Sequence, residues 1–240
     1  MADLTPGTRE ALLRVGTSTL TGVLYRRGLR SVFMHDVSPI RPETPRMAGL
    51  AFTMRFIPAR EDKDAPGAPG RGQVQRTAME ECPPGHVLVI DARCDARAAS
   101  AGDVYAGRLK ARGCAGIVTD GGFRDTEGVS KTGLPAYHRR ASSPPSPVAH
   151  HPADLNLPIG CGGVAVYPGD VVVGDCDGVV VIPPNIVDAV AEEALAGTLY
   201  DEFAEQEVAR GRSLVGLFPV AGEEAKRDFE AWKRARSGGR

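Results

Sequence analysis

Three observations predict that this 240-residue chain folds as one α/β domain on a mixed sheet. Short apolar runs such as "HVLVIDA" (86–92), entered through Pro83-Pro84-Gly85, and "CAGIVTD" (114–120), left through Gly121-Gly122, read as inner strands. Helix-like segments alternate with these runs in the first half, which suits parallel crossovers. After Lys131 the pattern changes to short strands separated by Pro-Gly and Asp-Gly turns, which suits hairpins.

In order along the chain, "REALLRVGTSTLTGVLYRRG" (9–28) carries leucine and valine at helical spacing but is interrupted at Gly16. It reads as two short helices, the second capped by Thr17 or Ser18. "MAGLAFTMRFIP" (47–58) is expected to alternate as a strand does, and the polar, Pro/Gly-rich 59–72 segment to be a surface loop. A short helix is expected before Pro83-Pro84-Gly85, an inner strand at 86–92, a helix over 104–113 and a second inner strand ending in Gly121-Gly122. "NIVDAVAEEALAGTLYDEFAEQEVARG" (185–211) predicts a long amphipathic helix with Asn185 as its N-cap. "EEAKRDFEAWKRAR" (223–236) predicts a charged last helix without a wide apolar face, expected to lie on a neighbouring subunit or half free. Residues 1–215 are therefore read as the domain and 216–240 as a helical extension.

Composition narrows the function. Hydrophobic residues make up 42% and charged residues 25%, enough for an ordinary core. Twenty-nine basic and 30 acidic residues give a net charge of -1, with no basic excess for nucleic acid or an anionic membrane. No apolar run approaches the roughly 18 residues of a span, and no leader precedes the first helix, so a cytoplasmic protein is expected. Five cysteines without C-x-x-C spacing read as reduced thiols.

The chemistry-bearing candidates centre on "AGDVYAGRLKARGCAGIVTDGGFRD" (101–125). Asp103 opens a helix, and Arg124-Asp125 follow the next apolar strand. Loops at strand ends are where α/β domains bind ligands. Free N–H groups at a helix start, here around Val104 and Tyr105, suit a carboxylate. A carboxylate such as Asp125 suits a hard divalent cation, and an adjacent arginine can steady an oxygen that gains charge. The competing reading is an N-cap and a solvated turn. Asp175-Cys176-Asp177-Gly178 resembles a piece of a calcium loop but lacks its distal glutamate, so a hairpin turn is expected there. His150 and His151 are adjacent and should face opposite ways. Among the isolated histidines only His138 is a candidate substrate contact. No nucleophile elbow, HExxH, phosphate loop or dinucleotide fingerprint occurs, and no lysine sits in an apolar context fit for a Schiff base.

With twenty residues between them, Asp103 and Arg124-Asp125 match the D-x20-R-D pattern of the metal-dependent aldolases for 4-hydroxy-4-methyl-2-oxoglutarate and 4-carboxy-4-hydroxy-2-oxoadipate. These belong to the superfamily named for RraA, the regulator of ribonuclease E activity. "PPGHVLVIDA", "ARGCAGIVTDGGFRD" and "LPIGCGGVAVYPGDVVVGDCDGVVVIP" are similar to the family's corresponding segments, so the resemblance runs over about residues 15–210. It implies a three-layer ββα swivelling-type α/β domain, assembled as a homotrimer or hexamer with sites between subunits. It implies a Mg²⁺ or Mn²⁺ ion on Asp125, Arg124 on the keto oxygen of a 2-oxoacid, and Asp103 ordering water at the ion. Backbone at Gly102, Val104 and Tyr105 would then hold the pyruvyl carboxylate. The implied reaction is cleavage of a 4-hydroxy-2-oxoacid to pyruvate, with oxaloacetate decarboxylation as a side activity. The alternative is a non-catalytic regulator of ribonuclease E or a helicase. That branch is described as lacking the acid after the arginine, which this chain has. The 59–72 loop and the basic "HRRASSPPSP" depart from the family pattern, and Arg139 and Arg140 are candidates for binding a second carboxylate.

Overall fold

The computed structural model describes residues 4–237 apart from 71, 220 and 221. Helices α1 (Pro6–Arg14) and α2 (Thr17–Arg26) come first. Thr5 caps α1, its Oγ1 accepting the Thr8 N–H at 3.1 Å. Neither Thr17 nor Ser18 caps α2. Gly16 holds the cap position, and the carboxylate of the distant, buried Asp175 accepts both the Thr17 N–H and its hydroxyl at 2.8 Å.

Strands β1 (Ser38–Pro39) and β2 (Met47–Pro58) follow, then α3 (Glu61–Asp64), α4 (Gln73–Glu81) and β3 (His86–Asp91). The middle of the chain forms β4 (Ala99–Ala101), α5 (Asp103–Ala111), β5 (Gly116–Thr119), β6 (Gly122–Phe123) and α6 (Thr126–Lys131). Next come β7 (Ala136–His138), β8 (Arg140–Ala141), β9 (His150–Leu155) and the hairpin β10 (Ile159–Cys161) with β11 (Val164–Val166). Last are β12 (Val171–Gly174), β13 (Val179–Ile182), α7 (Val187–Ala209) and α8 (Glu223–Ser237).

The main sheet runs β1-β7-β5-β3-β2-β12-β13, with β9 paired to the far end of β2. Strands β2, β3, β5 and β7 are mutually parallel, and β1, β9, β12 and β13 join antiparallel. The sheet is mixed, as expected. The period-2 rule then sorts the core. On β3, Leu88 and Ile90 face a cluster containing Ala78 and Met79 of α4 and Leu109 of α5. Val87 and Val89 point the other way, onto Ile159, Cys161 and Val164 of the β10–β11 hairpin. On β2, Ala48 and Leu50 face Leu12, Leu20 and Val190 of α1, α2 and α7. One face of the sheet therefore carries helices and the other carries strands, which makes three ββα layers. It also explains why β2 is buried over its first eight residues. Its side chains alternate, but both faces are covered.

The described residues of 59–72 lie at the surface, as expected, with one anchor: Asp64 in α3 is buried, takes the Arg60 N–H at 2.9 Å and lies 2.8 Å from His151 Nδ1. Two expectations need correction. Asn185 does not cap α7; it sits in a 3-10 turn (Pro184–Ile186), and the cap residue Ile186 offers no side-chain acceptor. Helix α8 folds back on its own chain, where Phe229 and Trp232 pack on Tyr200 and Phe203 of α7 with ring centroids 5.0–6.0 Å apart. Among the described residues no helix is long and apolar enough to cross a membrane.

Candidate active site

A second, smaller sheet builds the site. Strands β4, β6 and β8 pair in parallel, in the order β4-β6-β8. Opposite Ala101 at the end of β4 lies Phe123 at the end of β6, and the Arg124 N–H donates to the Ala101 carbonyl at 3.0 Å. The chain leaves β4 into Gly102-Asp103 and leaves β6 into Arg124-Asp125. Two turns twenty residues apart thus become neighbours. Strand β5 of the main sheet delivers the chain to this point through Asp120-Gly121. Asp120 is buried and accepts N–H groups from Ala92, Cys94 and Gly162 at 2.7–3.2 Å. A side chain on Gly121 would meet Ala92 Cβ at 2.6 Å and Ser100 Oγ at 2.7 Å, so only glycine lets the chain cross there.

Arg124 and Asp125 pair side by side, Nε to Oδ2 at 2.9 Å, each side chain 45% exposed. Asp125 adopts a left-handed backbone (φ 51°, ψ 41°) at the N-terminus of α6, a conformation that aspartate and asparagine enter more readily than other non-glycine residues. Its other oxygen has no protein partner among the described residues. Gly102 closes the corner: a Cβ there would sit 3.0 Å from both Asp125 Oδ2 and Arg124 Cγ. Asp103 lies against Gly128 of α6, where a Cβ would come within 2.7 Å of Asp103 Oδ2. Asp103, Arg124 and Asp125 are therefore held by one pair of helix starts in close contact.

The N–H groups at the start of α5 divide. Asp103 Oδ1 takes the Val104 N–H at 2.8 Å, and the Val104 side chain is exposed to solvent. The Ala106 N–H goes to the Gly102 carbonyl, while those of Asp103 and Tyr105 meet no protein acceptor among the described residues. Gly102, Tyr105 and Arg124 line a cavity of about 280 Å³. Gln75 and Arg76 of α4 also line it, with Pro145, Ser146 and Pro147. Gln75 and Arg76 carry no sequence motif. The available signal was a glutamine three residues before Ala78, on the apolar face of a short helix.

His138 is not part of this cavity. It is buried and stacked on Phe123 with centroids 5.5 Å apart, its Nδ1 lacks a partner, and burial pushes its pKa down to about 4. His150 is buried and His151 half exposed, on opposite faces of β9. Arg139 and Arg140 line a different cavity with Asp36 and Asp177, and Arg139 pairs with Asp36 at 3.0 Å.

A divalent cation fits the carboxylate of Asp125. Asp125 offers one hard, half-exposed carboxylate with an uncommitted oxygen, and Mg²⁺ accepts such a single anchor because it keeps several waters. Among the described residues the one group of three possible ligand side chains is Asp175, Cys176 and Asp177, and Asp175 there is already engaged by Thr17.

The sequence model of the family described as "RraA-like: Aldolase/RraA" matches residues 17–181, which include every part of this site. The chain belongs to the aldolase/RraA family. A Halalkalibacterium halodurans relative named "Putative 4-hydroxy-4-methyl-2-oxoglutarate aldolase" is 40% identical over 131 residues, covering 55% of this chain and 62% of the relative. An Ectopseudomonas mendocina relative of the same name is 35% identical over 41% of this chain and 60% of its own. The chain thus spans less than two thirds of the curated relatives it matches. In three dimensions it is similar to Streptomyces coelicolor RraAS2, described as an unusual member of the RNase ES inhibitor RraA protein family. That likeness has a TM-score of 0.75 and 29% identity, covering 85% of this chain and 98% of RraAS2. An uncharacterized Pseudomonas syringae protein shares the fold at TM-score 0.77 and 21% identity, over 90% and 99% of the two chains. The aldolase/RraA membership and the ββα fold agree.

Proposed function

We propose that this aldolase/RraA protein is a divalent-metal-dependent carbon–carbon lyase that cleaves a 4-hydroxy-2-oxoacid to pyruvate. The observation that carries the reading is the pairing of Asp125 with Arg124, which lines a cavity together with Gly102 and Tyr105 at the start of α5. Retro-aldol cleavage removes the C4 hydroxyl proton, breaks the C3–C4 bond and leaves its electron pair in the enolate of pyruvate. C4 departs as a carbonyl, and protonation at C3 completes pyruvate. The step requires an electron sink at the C2 oxygen. Arg124 supplies a fixed positive charge there. The unpaired N–H groups of Asp103 and Tyr105 suit the C1 carboxylate. Asp103 holds the helix start in register by taking the Val104 N–H. Mg²⁺ or Mn²⁺ on Asp125 would supply Lewis acidity toward the 2-oxo group. The same sink serves oxaloacetate, whose C3–C4 cleavage releases carbon dioxide and the same enolate, so decarboxylation is part of the proposal. We also read the protein as a homotrimer or hexamer, which light scattering tests.

The relatives named as aldolases support this reading. The likeness to RraAS2 favours a second one, a regulator that binds a ribonuclease. A coupled pyruvate-release assay over 4-hydroxy-2-oxoacids and oxaloacetate, with and without Mg²⁺ or Mn²⁺, separates the two. Metal-dependent pyruvate release supports the lyase. Its absence across the panel, together with ribonuclease inhibition unaffected by Asp125→Ala, supports the regulator.

A further inference from the structure

The cavity at Arg124 carries a second guanidinium. Ala99 and Ala101 of β4 line it together with Arg124 and Arg76. Arg124 is fixed by the hydrogen bond of its own N–H to Ala101. Arg76, which also lines the cavity, stands in the first turn of α4, immediately after Gln75. Gln75 is 5% exposed, and its Nε2 donates to the Ser100 carbonyl at 2.6 Å and to Ser146 Oγ at 3.3 Å. The Ser146 hydroxyl in turn donates to the Ala99 carbonyl at 2.6 Å. This chain of bonds stitches the start of α4 to β4, so Arg76 is presented to the cavity by a buried anchor.

The lining carries two guanidinium groups and the N-terminus of α5, and Asp125, which meets Arg124 Nε at 2.9 Å, is not among the lining residues. Such a surface is complementary to a dianion with charge at both ends. A volume of about 280 Å³ lies at the small end of ligand pockets, which suits a short acid and excludes a nucleotide. The other basic candidates are placed elsewhere: Arg139 and Arg140 line the separate cavity beside Asp36.

We propose that Arg76 is the specificity-determining residue of this site: it binds the distal carboxylate of a 2-oxo dicarboxylic acid whose 2-oxo end lies at Arg124. The orientation rests on the lyase reading; the preference for a diacid rests on the cavity. Gln75 is the positioning residue behind it.

The test is a binding measurement independent of turnover. Calorimetric titration in saturating Mg²⁺ compares 2-oxoglutarate with 2-oxopentanoate, which has the same carbon count without the distal carboxylate. A charge-assisted contact of this kind gives the native protein a preference for the diacid of roughly 10- to 100-fold. Arg76→Ala reduces that ratio to near unity, and Arg76→Lys retains part of it, with thermal unfolding confirming that both variants fold. A ratio unchanged in Arg76→Ala, or no diacid preference in the native protein, overturns the proposal. If the preference depends on Arg76 but no 4-hydroxy-2-oxoacid is cleaved, the lyase reading falls and the diacid subsite stands. If pyruvate is released and the ratio ignores Arg76, the reverse holds.

Discussion

Gly128→Ala inverts the usual sign of a helix substitution, which makes it informative. In an ordinary helix alanine is favoured over glycine by about 1 kcal/mol. At Gly128, in α6, the added Cβ would lie 2.8 Å from Asp103 Cβ and 2.7 Å from its Oδ2. Rotation moves the carboxylate oxygen away but not Cβ, which is fixed to the backbone of α5. Reaching ordinary carbon contact near 3.5 Å requires α5 and α6 to part by roughly 0.7 Å. Overpacking of that kind costs about 1–3 kcal/mol, so the net change is a loss of roughly 0–2 kcal/mol despite the propensity gain. In a chain of this length that lowers Tm by up to about 8 °C. The same displacement separates Asp103 from Asp125 and should reduce kcat/KM for pyruvate release by around 10²-fold. Calorimetric unfolding and the coupled assay read both effects. Adding Asp103→Gly to Gly128→Ala removes the offending Cβ, so the double variant should be no less stable than Asp103→Gly alone. A Gly128→Ala protein that gains stability and keeps full kcat/KM would refute the claim that the two helix starts are held in contact for the site.

Three other outcomes are expected. His138 is neutral when folded, with its pKa pushed down to about 4 by burial from an ordinary 6.5. Between those values the unfolded chain binds a proton that the folded one does not, so stability falls by up to about 3 kcal/mol as pH drops from 6.5 to 4 and no further below it. In urea titrations at pH 7 and pH 4.5, His138→Phe should flatten that dependence; identical slopes would show that the imidazole is not its source. Asp175→Ala leaves the buried Thr17 N–H and hydroxyl unpaired and should cost about 2–4 kcal/mol with little change in KM for any substrate. A loss of Mg²⁺ dependence in that variant would instead make the 175–177 turn the metal site. Asp64→Ala frees α3 from His151 and should raise the proteolytic susceptibility of the 59–72 segment several-fold. Resistance equal to that of the native protein would show that the pair is dispensable.

The parts of this structure legible in the sequence were those that depend on local periodicity or on glycine. The inner strands at 86–91 and 116–119, the helix opening at Asp103 and the spacing to Arg124-Asp125 could all be read directly. What could not be read depended on partners far away in the chain. Strand β4 is only three residues long, so its pairing with β6, which unites the two halves of the site, has no periodic signature. The cap of α2 comes from Asp175, 158 residues away, which local cap rules cannot anticipate. The 59–72 segment is polar enough to look like free loop, yet one of its acids is buried against a histidine of β9. Helix α8 has few apolar positions, but two of them are Phe229 and Trp232, whose area outweighs the width of the stripe. Gln75 was hidden for the opposite reason: a polar residue on a buried helix face reads as a surface position until its acceptors are seen.

In the proposed reaction Arg124 and Asp125 together make the enolate of a bound 2-oxoacid accessible. Exchange of the pyruvate methyl protons in deuterium oxide, followed by proton NMR, reports that event without requiring the natural substrate. The native protein should catalyse exchange in Mg²⁺ and lose it on chelation, and Arg124→Ala and Asp125→Ala should each slow it by about 10²- to 10³-fold while remaining folded. Exchange at the native rate in either variant would contradict the account.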